Sequence, residues 1–388
     1  MRRELYEDEH EALRASFAAF LAREVVPHHG AWEQAGIVPR AVFAQAARHG
    51  FVAMAVPEEH GGAGVDDFRF NAVLGEEAQR AGVASFGLGL TLHNDICLPY
   101  LLAYADADQR ARWLRGVATG ELITAIAMTE PGAGSDLASI GTRARREGDE
   151  YVVSGAKTFI TNGLNADLVI VAARTDRASR HRGLTLLVLE RGMERFARGP
   201  GLDKLGQHAQ DTAELFFDDV RVPVANRLGA EGDGFAQLMA NLPQERLSIA
   251  VAAVAAADVA LAWTIEHVRS RHAFGATIGA LQHTRFACAE MRTEIDVARA
   301  FVDRCVRAHV AGELDAADAA KAKWWATELQ GRVVDRCLQL HGGYGYMTES
   351  PIARAWVDAR VTRIYGGTTE IMKEIVGRSL ALDGAPAR

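Results

Sequence analysis

Three things are missing from this chain of 388 residues: paired cysteines, an excess of positive charge and a long unbroken apolar run. The four cysteines, Cys97, Cys288, Cys305 and Cys337, are widely spaced and form no Cys-x-x-Cys pair. That pattern argues against a structural zinc site and fits a reducing compartment, with buried free thiols in apolar helical contexts. The net charge of −7 argues against bulk attraction to nucleic acid or anionic lipid. No apolar run approaches the ~18 residues of a membrane span. Residues 2–26 mix acidic with basic side chains and carry Leu5, Leu13, Phe17, Phe20 and Leu21 at helical spacing. They read as a folded helix and not as a signal or transit peptide, so the expected location is cytoplasmic and of bacterial type. There is no sequence repeat, and the low-complexity content is confined to a short Ala/Gly/Pro tail.

What is present is ordinary globular material, 49% apolar and 24% charged, long enough for two or three domains. Residues 1–121 repeat their apolar positions every three or four residues, broken near Pro39, residues 57–64 and Pro99, and read as all-helical. From 122 to 232 the runs shorten: 122–128, 151–154, 158–161, 168–172, 184–189 and 213–217 read as strands of a compact β domain, a barrel or a sandwich. From 233 to 388 long alanine-rich helical patterns return, over 234–270, 279–311, 315–341 and 368–381, as expected of an antiparallel four-helix bundle. The expected class is therefore α+β multidomain, with a cleft where the β domain meets helices.

Four stretches offer chemistry. Met128-Thr129-Glu130-Pro131-Gly132-Ala133-Gly134-Ser135 follows an apolar strand, and its glycines let backbone approach a ligand closely. Phe159-Ile160-Thr161 precedes an Asn-Gly turn; alternation puts Phe159 and Thr161 on one face, able to cover a flat ring and bond its edge. Gln339-Leu340-His341-Gly342-Gly343-Tyr344-Gly345 ends a helix with more glycine than a C-cap needs. Ile364-Tyr365-Gly366-Gly367-Thr368-Thr369-Glu370 opens the last helix, whose amide end suits an anion or an oxyanion. Each alone is an ordinary turn or cap.

Taken in order, they resemble the acyl-CoA dehydrogenase family from the first helix to about residue 380. The resemblance implies FAD, an acyl-CoA substrate, a homotetramer and electron delivery to an electron-transfer flavoprotein. By motif it assigns the flavin to Ile126, Met128, Thr129, Gly134, Ser135, Phe159, Ile160 and Thr161. It gives the adenine and pyrophosphate end, across a subunit interface, to Arg271, Phe274, Gln282, Gln339, Gly342, Gly343, Thr368 and Glu370. Substrate contacts fall to Ser135, Arg246, Gly366 and Gly367, and no metal is implied. Phe159 stands where many members have tryptophan.

Many members place the catalytic glutamate directly after the motif tyrosine, where this chain has Gly366, which cannot take a proton. Isovaleryl-CoA and long-chain members carry it before an arginine on a C-terminal-domain helix, and Pro243-Gln244-Glu245-Arg246 has that form. Glu245 is thus the expected base, with Pro243 kinking or starting a helix so that the carboxylate lies in a first, charge-stabilising turn. Gly366 is read as leaving room beside the reacting carbons for a branched acyl group, while the long-chain likeness implies an extended tail. Asn94 and Asp95 read as caps or solvent-facing groups, and Gln207 and His208 replace residues that are often apolar in relatives. The alternative reading is a non-catalytic acyl-CoA- or FAD-binding subunit of a heteromer.

Overall fold

The computed structural model describes residues 3–176, 178, 179 and 182–382, so the Ala/Gly/Pro tail lies outside the described residues. Helices come first: α1 (Asp8–Phe20), α2 (Val26–Ala35), α3 (Arg40–Arg48), α4 (Phe68–Arg80), α5 (Ala84–Thr91), α6 (Leu98–Tyr104) and α7 (Ala107–Ala118). Side-chain caps fix several starts: Asp67 accepts from the Arg69 amide ahead of α4, and Asp106 and Gln109 form a reciprocal box at α7. Two joins are wide π turns that keep the axis running, Leu21–Val25 between α1 and α2 and Leu92–Cys97 between α5 and α6. Wide turns of this kind recur at functional sites, and the second one reaches the cavity described below. Phe17, Phe20, Phe51 and Phe86 are buried in the core of this unit. Arg3 ties the N-terminal segment to the rest, meeting Asp303 at 2.6 Å and the buried Glu76 of α4 at 2.7 Å.

The central sheet has eight strands: β1 (Thr124–Ala127), β2 (Arg143–Glu147), β3 (Glu150–Thr161), β4 (Leu168–Arg174), β5 (Leu184–Glu190), β6 (Phe196–Gly201), β7 (Thr212–Pro223) and β8 (Arg227–Leu228). They pair in the order β6-β7-β3-β2-β4-β5-β8, with β1 joining β4 in parallel. Strands β4 and β5 are buried at nearly every residue, which is why they were legible as unbroken apolar runs. The separate runs 151–154 and 158–161 are in fact one strand, β3. Its pairing with β7 slips between Val153 and Gly155 and again between Lys157 and Ile160, and these bulges hid the continuity. Strands β2 and β6 carry too much charge and glycine to read as strands.

The chain closes with α8 (Gly234–Ser270), α9 (Gln282–Val310), α10 (Ala316–His341), α11 (Pro351–Ala359) and α12 (Thr369–Ser379). α8, α9, α10 and α12 match the expected bundle helices; α11 was not anticipated. Two expectations about α8 need correction. Pro243 neither starts nor ends it but sits inside the helix, so Glu245 is not in a first turn. α8 is also long and apolar enough, by length and composition, to cross a membrane, with 61% of its most apolar window buried in the fold. A buried core helix passes that test because it is apolar all round.

Candidate active site

Helices α4, α5 and α8, the loop after β1, the bulged end of β3 and the turn before α12 enclose one cavity of about 1460 Å³. That exceeds the ~300–1,000 Å³ usual for one small ligand, so the space fits two bound molecules side by side. Part of its wall, the apolar arm, is lined by Gly75 and Leu88, from α4 and α5, and by Ala252, Ala256 and Trp263 of α8. At ~1.5 Å per residue, α8 rises about 27 Å from Glu245 to Trp263. The rest of the wall carries more polar groups, among them Thr129, Ser135, Thr161 and Thr212, with Phe159 beside them.

The loop after β1 is held by its own glutamate. The Glu130 carboxylate accepts from the Gly141 and Thr142 amides at 2.6 and 2.9 Å and meets the buried Lys157 ammonium at 2.9 Å. Lys157 also donates to the Met128 carbonyl at 2.9 Å, and burial pulls its pKa down to about 8. Glu130 is therefore a brace, and the groups that face the cavity are its neighbours Met128, Thr129, Gly134 and Ser135. Phe159 has φ of 60°, inside the second bulge, and remains 67% exposed at the cavity wall. Simple alternation therefore does not govern its direction: a strained backbone presents a large ring to empty space, as a cover for a flat ligand would require.

Glu245 lines the cavity and is 3% exposed. Burial pushes its pKa up to about 7, against the pull of a hydrogen bond from Tyr100 Oη at 2.9 Å and the adjacent Arg246 charge. Beside it lies the two-glycine turn, Gly366 with φ of 64° and Gly367 with φ of 100°. Arg246 Nε donates to the Gly366 carbonyl at 3.3 Å, and the buried Lys323 Nζ donates to the Gly367 carbonyl at 2.6 Å. Two cations thus bind the carbonyl side of this turn. A β-carbon at Gly366 would meet Ile249 Cδ1 at 2.4 Å in a backbone conformation that L-residues rarely adopt. Ile249 stands one turn after Glu245, so α8 occupies the place that a side chain at residue 366 would take. The same helix supplies both the filler and the carboxylate.

Thr368 caps α12 by accepting from the Ile371 amide and lines the cavity. Glu370 is exposed and does not line it, and neither do Arg271, Phe274, Gln282, Gln339, Gly342 and Gly343. Those six lie exposed on the bundle surface, where the Arg271 guanidinium sits 5.6 Å over the Tyr344 ring and Phe274 is 95% exposed. Within one chain the predicted cofactor set therefore splits into a cavity group and a surface group.

Four residues that the sequence reading missed or left open surround the site. Tyr100 and Lys323 were unremarked. Asp95 and Asn94 are buried, contrary to expectation. Asn94 bonds the Ala53 amide and the Phe51 carbonyl, while Asp95 Oδ2 accepts from Ser248 Oγ at 2.7 Å. A carboxylate and an amide inside an apolar helical run were the available signal. Gln207 is buried at the cavity wall with φ of 55° and its Oε1 has no hydrogen-bond partner, whereas His208 is exposed.

Burial holds the Asp95 pKa at about 7, well above its unfolded value, with the Ser248 bond opposing. The native state then binds the proton more tightly than the unfolded chain. The stabilisation is full below the unfolded pKa of ~3.9 and is lost as pH rises through about 7. Asp95→Asn removes that dependence, so its thermal midpoint relative to the unsubstituted protein should climb between pH 5 and pH 8. Parallel melting curves across that range check this, and a constant offset would contradict it.

Family models for the acyl-CoA dehydrogenase N-terminal, middle and C-terminal domains match residues 7–121, 125–220 and 232–381. The chain belongs to the acyl-CoA dehydrogenase family and is an oxidoreductase of the acyl-CoA-acting kind. Over 383 residues it is 46% identical to the long-chain specific acyl-CoA dehydrogenase, mitochondrial, of Rattus norvegicus, covering 98% of this chain and 88% of that protein. The crystal structure of an acyl-CoA dehydrogenase from Geobacillus kaustophilus matches with a TM-score of 0.95 and 49% identity, over 97% of this chain and 99% of that one. A glutaryl-CoA dehydrogenase from Mycobacterium smegmatis in complex with FADH2 matches with a TM-score of 0.91 and 25% identity, over 99% and 96%.

Proposed function

We propose that the protein oxidises the Cα–Cβ bond of a long, unbranched acyl-CoA to the trans-2-enoyl-CoA, with Glu245 taking the α proton. The observation that carries this reading is one buried carboxylate at the corner between an apolar tail path and a two-glycine turn. The path is long. Its ~27 Å of helix exceeds the share of one leaflet, about half of the ~30 Å hydrocarbon core that two leaflets of acyl chains fill.

The residues present fit FAD. Phe159 offers a ring cover, Thr129, Ser135 and Thr161 offer hydroxyls, and Gln207 offers a buried oxygen still lacking a partner. Bound FAD supplies an acceptor for the β hydride. The chain's own contribution is the proton and the charge. The thioester oxygen gains negative charge as the α proton leaves, and the amides of the glycine turn would receive it, while Arg246 and Lys323 bind the carbonyls of that turn. Burial makes Glu245 a stronger base than a free carboxylate, because ionised and desolvated it gains more by protonation.

Arg271, Phe274, Gln282, Gln339, Gly342 and Gly343 then serve the adenine end of the cofactor in a second copy's cavity, which suits their exposure here and the exposed Tyr344 and Tyr346 beside them. Thr368 and Glu370 would work at the same end. In this reading the protein is a homotetramer and passes its electrons to an electron-transfer flavoprotein.

Anaerobic titration of the FAD-loaded protein with straight and branched acyl-CoAs of increasing length tests the proposal. Loss of flavin colour should be strongest with long straight chains. Colour retained with every thioester would remove the dehydrogenase reading, and colour lost only with short or branched ones would remove the substrate reading.

A further inference from the structure

Two side chains from the 92–104 segment grip the turn of α8 that carries Glu245. On the outer side, Asp95 accepts from Ser248 Oγ through its carboxylate and from Gln244 Nε2 through its carbonyl, each at 2.7 Å. On the inner side, Tyr100 Oη donates to Glu245 Oε1 at 2.9 Å. Tyr100 is 0% exposed, and its ring packs against Tyr104 with centroids 6.3 Å apart, so the hydroxyl has a fixed direction. The wide turn over Leu92–Cys97 advances the backbone by an extra residue before α6 begins. Glu245 lines the cavity whereas Tyr100 does not, and the hydroxyl engages Oε1 and not Oε2.

We propose that Tyr100 is a positioning residue for the reaction: its hydroxyl fixes Oε1 of Glu245 so that Oε2 alone meets the acyl thioester. The inference rests on Glu245 being the base. It adds a residue outside the cavity that sets both the direction and the ionisation of that base. A donor to Oε1 favours the charged carboxylate, so the bond offsets part of the burial that would otherwise keep Glu245 protonated. The other ionisable groups facing this carboxylate are few. Arg246 on its own helix favours the charged form, and Cys97 from the wide turn is near enough to be affected by it. Lys323 from α10 faces Arg246.

Tyr100→Phe removes one oxygen and leaves the ring packing in place. In the FAD-loaded enzyme, the pH at which anaerobic flavin reduction by acyl-CoA falls to half its plateau should move upward by roughly one to two pH units. At pH 6 that is a loss of about tenfold or more, from ten per decade of lost ionised base, while the alkaline plateau changes much less. Tyr104→Phe, which removes a hydroxyl not bonded to Glu245, should leave the profile in place. In a Glu245→Gln background Tyr100→Phe should cause no further pH-dependent loss. An unmoved acid limb in Tyr100→Phe, or an equal loss in both backgrounds, overturns the inference and makes the bond purely structural. Normal flavin reduction by Glu245→Gln alone would instead remove the base assignment. FAD content and melting temperature, recorded for each variant, separate either result from misfolding.

Discussion

Glu245→Gln should slow reduction of bound FAD by acyl-CoA by at least ~10²–10⁴-fold, the usual loss when a general base is removed. Glutamine keeps the shape, and its carbonyl oxygen can still accept from Tyr100, so the FAD content and melting temperature should stay close to those of the unsubstituted enzyme. The amide cannot take a proton at any working pH. The rise of rate with pH through about 7, which follows from the raised Glu245 pKa, should disappear along with the rate itself. Stopped-flow reduction under anaerobic conditions measures both. Among the described residues, Glu245 is the one carboxylate that α8 contributes to the cavity, while Asp136, Asp203, Asp358 and Glu374 line it from other elements. A variant reducing its flavin at near-normal speed would mean that the proton goes elsewhere.

The second large effect concerns the tail. Ala252 and Ala256 lie one turn apart on α8 and line the apolar arm together with Gly75 and Leu88. Ala256→Phe should plug that arm beyond the first turns and leave the junction at Glu245 intact. Each methylene kept out of an apolar site forfeits about 0.8 kcal/mol, so excluding four of them costs about 3 kcal/mol, roughly 10²-fold in kcat/KM. Long-chain thioesters should show that drop while short ones are processed almost as before. A uniform decline across chain lengths, or none, would show that the acyl chain does not follow α8.

Much of this architecture was legible because the hydrophobic period changes where the layers change. The fully buried strands β4 and β5 and the four long bundle helices were visible as runs, since burial on all sides forces an apolar composition. The candidate base was legible only through family likeness, because a Glu-Arg pair on a helix is otherwise a solvated pair. What stayed hidden depends on contacts between distant segments. Nothing local marks Tyr100 as the partner of residue 245, or Lys323 as the anchor of a glycine turn more than forty residues on. Pro243 misled for the opposite reason. A local rule that normally ends or starts a helix was overridden by packing on both sides of α8. Ile249, which takes the place a side chain at Gly366 would fill, was hidden for the same reason, because it comes from another element.

One continuous rod of backbone, α8, bears the reacting carboxylate near one end and Trp263 near the other. In the proposed reading, the separation between Glu245 and the far end of the tail path is therefore set by covalent geometry and cannot be adjusted by sliding one element over another. On that reading, variants that prefer a different tail length arise by changing side chains along the path, on α8 as at Ala256 or on α4 and α5. Changes there can accumulate without disturbing the chemistry at the far end.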